Sequence, residues 1–209
     1  MNKVYVLGMG PGHPDYVPPL TRRLIAESGA LIGGERHLAA HAGSGKVCFP
    51  LRGDLSALAD LIRRERASRQ VAVLVSGDPG FYGLLDFLRR HFPADELRVE
   101  PGISAFQYLM AKIGEPWHGA ALASLHGRGC DFHALIDRHR RTALLTGGER
   151  SAHWLAARLL DRADAARIEM IVGADLSYPE ERIARGAPAR ILEEAPFGMA
   201  TAAVINHDA

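Results

Sequence analysis

The sequence predicts an α/β protein with largely parallel sheets, and two observations carry that prediction. Short apolar runs alternate with stretches of helical periodicity, the pattern left by strands whose connecting helices pack on the sheet. Two of those runs also end alike: Val4-Tyr5-Val6-Leu7 leads into Gly8-Met9-Gly10-Pro11-Gly12, and Val71-Ala72-Val73-Leu74-Val75 leads into Ser76-Gly77-Asp78-Pro79-Gly80. Consecutive branched and aromatic residues favour a buried strand, while glycine permits tight turning and close ligand approach. Two such loops imply a small-molecule site. With 209 residues, the chain can bury either one large α/β domain or two small ones.

In the first half, strands are expected at 3–7, 30–33, 47–49, 71–75 and 97–100. Leu55, Leu58, Ala59 and Ile62 recur at helical spacing after Asp54, which reads as the cap, and Arg63, Arg64, Arg66 and Arg69 suit the negative end of that helix. Gly114-Glu115-Pro116-Trp117-His118-Gly119 interrupts the pattern and reads as a linker between domains at 1–114 and 119–209. Beyond it, strands are expected at 121–125, 143–146, 168–172, 182–184 and 200–205, with a helix over 154–160. Several of these lack an intervening helix, so the second sheet should be mixed. Arg138-His139-Arg140-Arg141 reads as a surface ramp into a strand.

Several function classes drop out. A dinucleotide fingerprint would need glycine at His13, and Pro11 removes an N–H from the segment that would cradle a pyrophosphate. Gly43-Ser44-Gly45-Lys46 is followed by Val47 and lacks the earlier glycine of a phosphate loop, which leaves a surface turn. Lys plus Arg number 25 against 24 Asp plus Glu, so no overall field recommends nucleic acid. Cys48 and Cys130 are too few for a disulfide framework, and the ten histidines form no ligand pair with metal-binding spacing. No apolar run approaches the roughly 20 residues that span a bilayer, and no basic segment precedes the first strand. The expected location is cytoplasmic.

Three segments, Gly8-Met9-Gly10-Pro11-Gly12, Ser76-Gly77-Asp78-Pro79-Gly80 and Pro101-Gly102-Ile103-Ser104-Ala105, resemble the ligand loops of the tetrapyrrole methylases in order and separation. Gly34-Glu35-Arg36-His37-Leu38, Gly114-Glu115-Pro116-Trp117, Ser124-Leu125-His126-Gly127-Arg128 and Leu176-Ser177-Tyr178-Pro179-Glu180-Glu181-Arg182 are similar to the branch of that family acting on precorrin-7, or its cobalt form, at C5. The resemblance spans essentially the whole chain. It implies two α/β domains with S-adenosyl-L-methionine in the cleft between them, a tetrapyrrole substrate, cobalamin biosynthesis and a homodimer. In many relatives the domain is fused to a second, decarboxylating methyltransferase, so either a separate partner supplies that activity or the chain is a piece of a longer enzyme.

By the same resemblance, cofactor contacts fall on Gly10, Pro11, Gly12, Ser76, Gly77, Asp78, Phe81, Ser104 and Ala105, with Thr146 and Leu176 as further positions. Each has a plainer reading: the glycines could make turns, Asp78 could cap a helix, and Phe81 could be core. Methyl transfer from a sulfonium needs no metal or nucleophilic side chain, only in-line positioning, although a proton must still move on the macrocycle. Glu35 is the first candidate base, alternatively a partner of Arg36 or a helix cap, and Asp15 is the second. Arg36, His37, Arg52, His126 and Arg128 are candidates to receive the substrate's acetate and propionate groups. An RNA methylase of the same fold, or a catalytically silent cofactor-binding protein, would keep the cofactor loops without this acceptor set.

Overall fold

The computed structural model describes residues 3–125 and 129–208, and the chain divides into two compact units, Met1–Ser104 and Ala105–Ala209. Among the described residues no helix is long and apolar enough to cross a membrane.

The first unit is a five-stranded parallel sheet of β1 (Val4–Gly8), β2 (Ala30–Gly33), β3 (Val47–Pro50), β4 (Val71–Val75) and β5 (Leu97–Glu100), in the order β3-β2-β4-β1-β5. Helices α1 (Pro19–Glu27) and α2 (Glu35–Ala39) bury Leu24, Ile25 and Leu38 against Leu7, Leu31, Ala72 and Leu74 on one face. On the other face α3 (Leu58–Arg66) and α4 (Leu85–His91) bury Leu58, Ile62 and Leu88 against Val4, Val6, Ile32, Val71 and Val73. The three inner strands β1, β2 and β4 are covered on both faces, which is why they read as unbroken apolar runs.

That strand order fixes where a ligand can bind. The connection leaving β1 runs over one face to β2, whereas the connection leaving the neighbouring β4 runs over the opposite face to β5. The chain therefore leaves the carboxyl ends of β1 and β4 toward opposite faces, which makes this the topological switch point at which open α/β sheets take ligands. The two glycine loops sit there.

The second unit begins with α5 (Ala105–Ile113) and continues through β6 (Ala121–Ser124), α6 (Phe132–Arg138), β7 (Arg141–Thr146), α7 (Ala152–Leu160), β8 (Ile168–Ala174), β9 (Arg182–Gly186), α8 (Pro188–Leu192) and β10 (Ala200–Asn206). Its sheet is mixed, as expected: in the order β6-β7-β10-β8-β9 only β6 and β7 pair in parallel. Helices α6, α7 and α8 cover one face through Phe132, Ile136, Leu155, Leu159 and Ile191. Helix α5 packs on β10 from the other face, where Gly173 leaves room for Leu109 and Leu176; a Cβ at Gly173 would lie 2.9 Å and 2.7 Å from their methyls.

Three expectations shift. The division falls between Ser104 and Ala105 rather than in the 114–119 segment, because α5 buries Phe106, Leu109 and Met110 within the second unit. Asp54 does not cap α3: its carboxylate accepts the backbone N–H of Ser56 at 2.8 Å and the Ser56 hydroxyl at 3.0 Å, and the helix begins only at Leu58. Arg141 is the first residue of β7, half-buried and paired with Glu115 at 2.9 Å, so the basic run is not wholly a solvated ramp.

The tightest packing in the first unit is backbone on backbone. A Cβ on Gly102 would lie 2.2 Å from the Gly77 carbonyl oxygen, and one on Gly8 would lie 2.4 Å from the Gly102 nitrogen. Main chain cannot rotate away as a side chain does. Gly102→Ala should therefore cost about 2–3 kcal/mol by overpacking, while Gly198→Ala, with open space around the added methyl, should stay within about 0.5 kcal/mol of the parent. Urea unfolding of the two variants measures this; equal stabilities would contradict the interlock.

Candidate functional site at the ends of the first sheet

The loop after β1 and the loop after β4 are tied by main-chain hydrogen bonds. Met9 N–H donates to the Val75 carbonyl at 2.9 Å, Gly10 N–H to the Gly77 carbonyl at 3.2 Å, and Gly77 N–H to the Gly10 carbonyl at 2.8 Å. Both glycines sit in the left-handed region, Gly10 at φ 74° and Gly77 at φ 66°, which other residues enter only with strain. Asp78 adds the loop after β5: its Oδ2 accepts Gly102 N–H at 3.1 Å and its Oδ1 accepts Gly80 N–H at 2.8 Å. The carboxylate thus staples the β4 and β5 loops together rather than capping α4, which starts at Leu85.

Ser76 opens the β4 loop and is exposed, yet its hydroxyl is held by two residues from α2, the helix that follows β2. Arg36 Nη2 donates to Ser76 Oγ at 2.9 Å, and His37 Nε2 lies 2.8 Å from the same oxygen. Gly34 carries the chain from β2 into α2, whose first turn delivers Glu35, Arg36 and His37 to the strand ends. His37 is buried. Burial, reinforced by the Arg36 charge, lowers its pKa to about 4, so the imidazole is neutral at physiological pH.

Glu35, at the start of α2, pairs with neither Arg36 nor its own helix terminus. Its Oε1 accepts Arg52 Nε and Nη2, each at 3.0 Å, and both side chains are largely exposed. Asp15 lies in a short 3-10 turn, exposed, with its carboxylate 3.6 Å from His13 Nδ1. Pro11 and Gly12 are half-buried. Phe81 is half-buried too, edge-on to Tyr82 with ring centroids 5.3 Å apart, and its N–H donates to the Asp78 carbonyl at 3.1 Å. The structure brings together Glu35, Arg36, His37, Arg52, Ser76, Gly77, Asp78 and the β1 loop on one end of one sheet.

The remaining expected residues are placed differently. Ser104 is buried and directly precedes α5, and Ala105 is that helix's first residue. Thr146 ends β7 with its hydroxyl spent on the Ala200 carbonyl at 2.9 Å, and Leu176 is core against Gly173. Any ligand contact at these two positions would fall on main-chain atoms. His126 and Arg128 lie outside the described residues. Arg182, from the 176–182 motif, makes a structural corner: Nη2 donates to the Ala195 carbonyl at 3.0 Å, and the guanidinium lies 4.8 Å from the Phe197 ring centroid.

Two features escaped the sequence reading. Tyr82 is 40% exposed and sits at φ 53°, a strained conformation for a bulky residue. Asp175 and Ser177, at φ 48° and 67°, flank Leu176 in a second strained turn, braced by Ser177 N–H donating to Glu181 Oε2 at 2.6 Å. Neither carries glycine, so composition gave no signal.

His37 makes folding pH-dependent. Its folded pKa of about 4 lies below its ordinary value of 6.5, so between those values the unfolded chain binds the proton and the folded chain does not. Stability is fully retained above about pH 6.5 and falls as the pH drops toward 4. After allowance for partial solvent screening, the loss is on the order of 2–3 kcal/mol. Urea unfolding at pH 7.5 and 4 should show a drop that much larger for the parent than for His37→Asn; parallel losses would contradict a buried neutral imidazole.

With that geometry in place, the relatives are informative. Residues 3–191 match the family model described as Tetrapyrrole (Corrin/Porphyrin) Methylases. A cobalt-precorrin-7 C(5)-methyltransferase from Salmonella typhimurium is 38% identical over 178 residues, 85% of this chain and 87% of that protein. A decarboxylating precorrin-6Y C(5,15)-methyltransferase from Sinorhizobium sp is 32% identical over 129 residues, covering 61% of this chain and 31% of that one. Among solved structures, uroporphyrin-III C-methyltransferase from Thermus thermophilus, complexed with S-adenyl homocysteine, superposes with a TM-score of 0.76 at 25% identity over 99% of both chains. The switch-point loops and this match over most of the chain agree: the protein belongs to the tetrapyrrole methylase family.

Proposed function

We propose that the protein transfers a methyl group from S-adenosyl-L-methionine to C5 of precorrin-7 or its cobalt form, a step in cobalamin biosynthesis. The observation that carries this reading is the 38% identity to the Salmonella enzyme over 85% of the chain. The fold supports it, since the loops that match the family lie at the switch point of the parallel sheet.

The chain's own groups suit such a cofactor. Main chain at Pro11 and Gly12, the Ser76 hydroxyl and the half-buried Phe81 ring offer neutral hydrogen bonding and one aromatic face, a fit to a nucleoside rather than to a pyrophosphate, while Gly10 and Gly77 bond each other and would line the site without a Cβ. Ser104 and Ala105 complete the proposed set. S-adenosyl-L-methionine supplies an activated methyl on a sulfonium, so the chain is left to bind, orient and exclude water. Orientation alone can contribute about 7–11 kcal/mol.

Acceptor binding falls to the cations at the strand ends. Arg52 is exposed and its present partner, Glu35, is as well, so a substrate carboxylate can replace that partner at little cost, since exposed pairs are worth about 0–1 kcal/mol. Glu35 then stands released beside the acceptor, as candidate base. Arg52→Ala should weaken acceptor binding about ten- to a hundredfold while S-adenosylhomocysteine affinity is unchanged. Glu35→Gln should lower kcat with little change in KM, with Asp15→Asn as comparison. Steady-state kinetics and calorimetry read both; loss of cofactor affinity in Arg52→Ala would overturn the assignment.

The direct test is an assay of the purified chain with methyl-labelled cofactor against precorrin-7, cobalt-precorrin-7 and ribosomal RNA. Label at C5 of the corrin precursor is expected, and label only in RNA would favour the RNA methylase reading. We also propose a cytoplasmic homodimer, for which sedimentation should give twice the chain mass of 22.7 kDa.

A further inference from the structure

The Ser76 hydroxyl has one hydrogen to give and two lone pairs to receive with. Arg36, always cationic, occupies one lone pair from 2.9 Å. His37 Nε2, at 2.8 Å, either donates into the second lone pair or accepts the hydroxyl hydrogen. The choice decides what Ser76 shows to a ligand. If the imidazole donated, the hydroxyl hydrogen would be left to point outward; if it accepts, only a lone pair is left. Nε2 is the ring atom brought, through Ser76, toward the Arg36 charge, and a neutral imidazole lowers its energy by turning its bare nitrogen toward a cation. The bare-Nε2 tautomer also spares Ser76 Oγ from accepting two donors.

We propose that Arg36 and His37 are positioning residues that turn the Ser76 hydrogen inward, so that Ser76 meets its ligand only as a hydrogen-bond acceptor. The ligand group at Ser76 must then donate. With Arg36 bound to the same oxygen, an ammonium would be repelled, so the donor is neutral: for the cofactor proposed above, a ribose hydroxyl. This rests on that cofactor reading for the ligand's identity, but the hydrogen's direction does not: it rests on the Arg36 and His37 contacts to Ser76 Oγ and on the electrostatics of the neutral imidazole beside a cation. It also gives a role to the meeting of a guanidinium and an imidazole, 40 and 39 residues away in sequence, at one small hydroxyl.

Two measurements test it separately from the cofactor reading. Long-range proton–nitrogen NMR of histidine-labelled protein at pH 7, with His37 assigned by comparison with His37→Gln, should show protonated Nδ1 and bare Nε2. An Nε2–H tautomer overturns the proposal even if no ligand is ever bound. Calorimetry with S-adenosylhomocysteine and its 2′-deoxy and 3′-deoxy analogues then reads selectivity. One analogue should bind about three- to tenfold more weakly than the parent ligand, and that discrimination should vanish in Ser76→Ala and His37→Leu but survive in His37→Gln, whose amide oxygen still accepts. Equal discrimination in all four proteins overturns the proposal. Failure of S-adenosylhomocysteine to bind any of them would overturn the cofactor reading and leave the NMR result to decide this one.

Discussion

Everything at the candidate site depends on three loops meeting through their backbones. Gly8 and Gly102 approach within a distance that excludes a Cβ, Gly10 and Gly77 exchange a pair of main-chain hydrogen bonds at positive φ, and Asp78 ties Gly80 to Gly102. The contact brings together the ends of β4, β1 and β5, which are neighbours in the sheet but far apart in sequence. Glycine here serves the packing of the chain's own backbone first. A ligand would use what that packing leaves exposed, which is the Ser76 hydroxyl, the half-buried Pro11 and Gly12, and the ring of Phe81.

A second tier of polar contacts surrounds this core and assigns the charges. Arg36 and His37 reach across from α2 to Ser76, while Glu35, beside them, turns to Arg52 after β3. Three consecutive residues therefore serve two purposes. Those facing β4 fix a hydroxyl, and the one facing β3 holds an exchangeable cation. The buried imidazole stays neutral, which leaves the arginines as the cationic groups of this corner.

The fold was largely legible in the sequence. The ten strands among the described residues lie within a few residues of where apolar runs and glycine punctuation put them, most plainly the inner strands, whose burial on both faces shows in their composition. The mixed second sheet followed from strands without helices between them. The domain division was less legible, since α5 is amphipathic on its own terms and nothing local says which sheet receives it. At the site, the glycine loops stood out, but their reason was only half visible: sequence suggests close approach without saying what approaches. The partner of Glu35 was misjudged because Arg36 is adjacent in sequence while Arg52 is adjacent in space. Tyr82 carried no signal, for its conformation contradicts its residue type.

On the proposed function, the switch point between β1 and β4 is the ligand end of this protein. Amide hydrogen–deuterium exchange with and without S-adenosylhomocysteine measures it directly. Slowed exchange over 8–12 and 76–83, with the opposite ends of the same strands unchanged, is the predicted result. Saturating ligand that protects other segments and leaves both loops exchanging as before would contradict it.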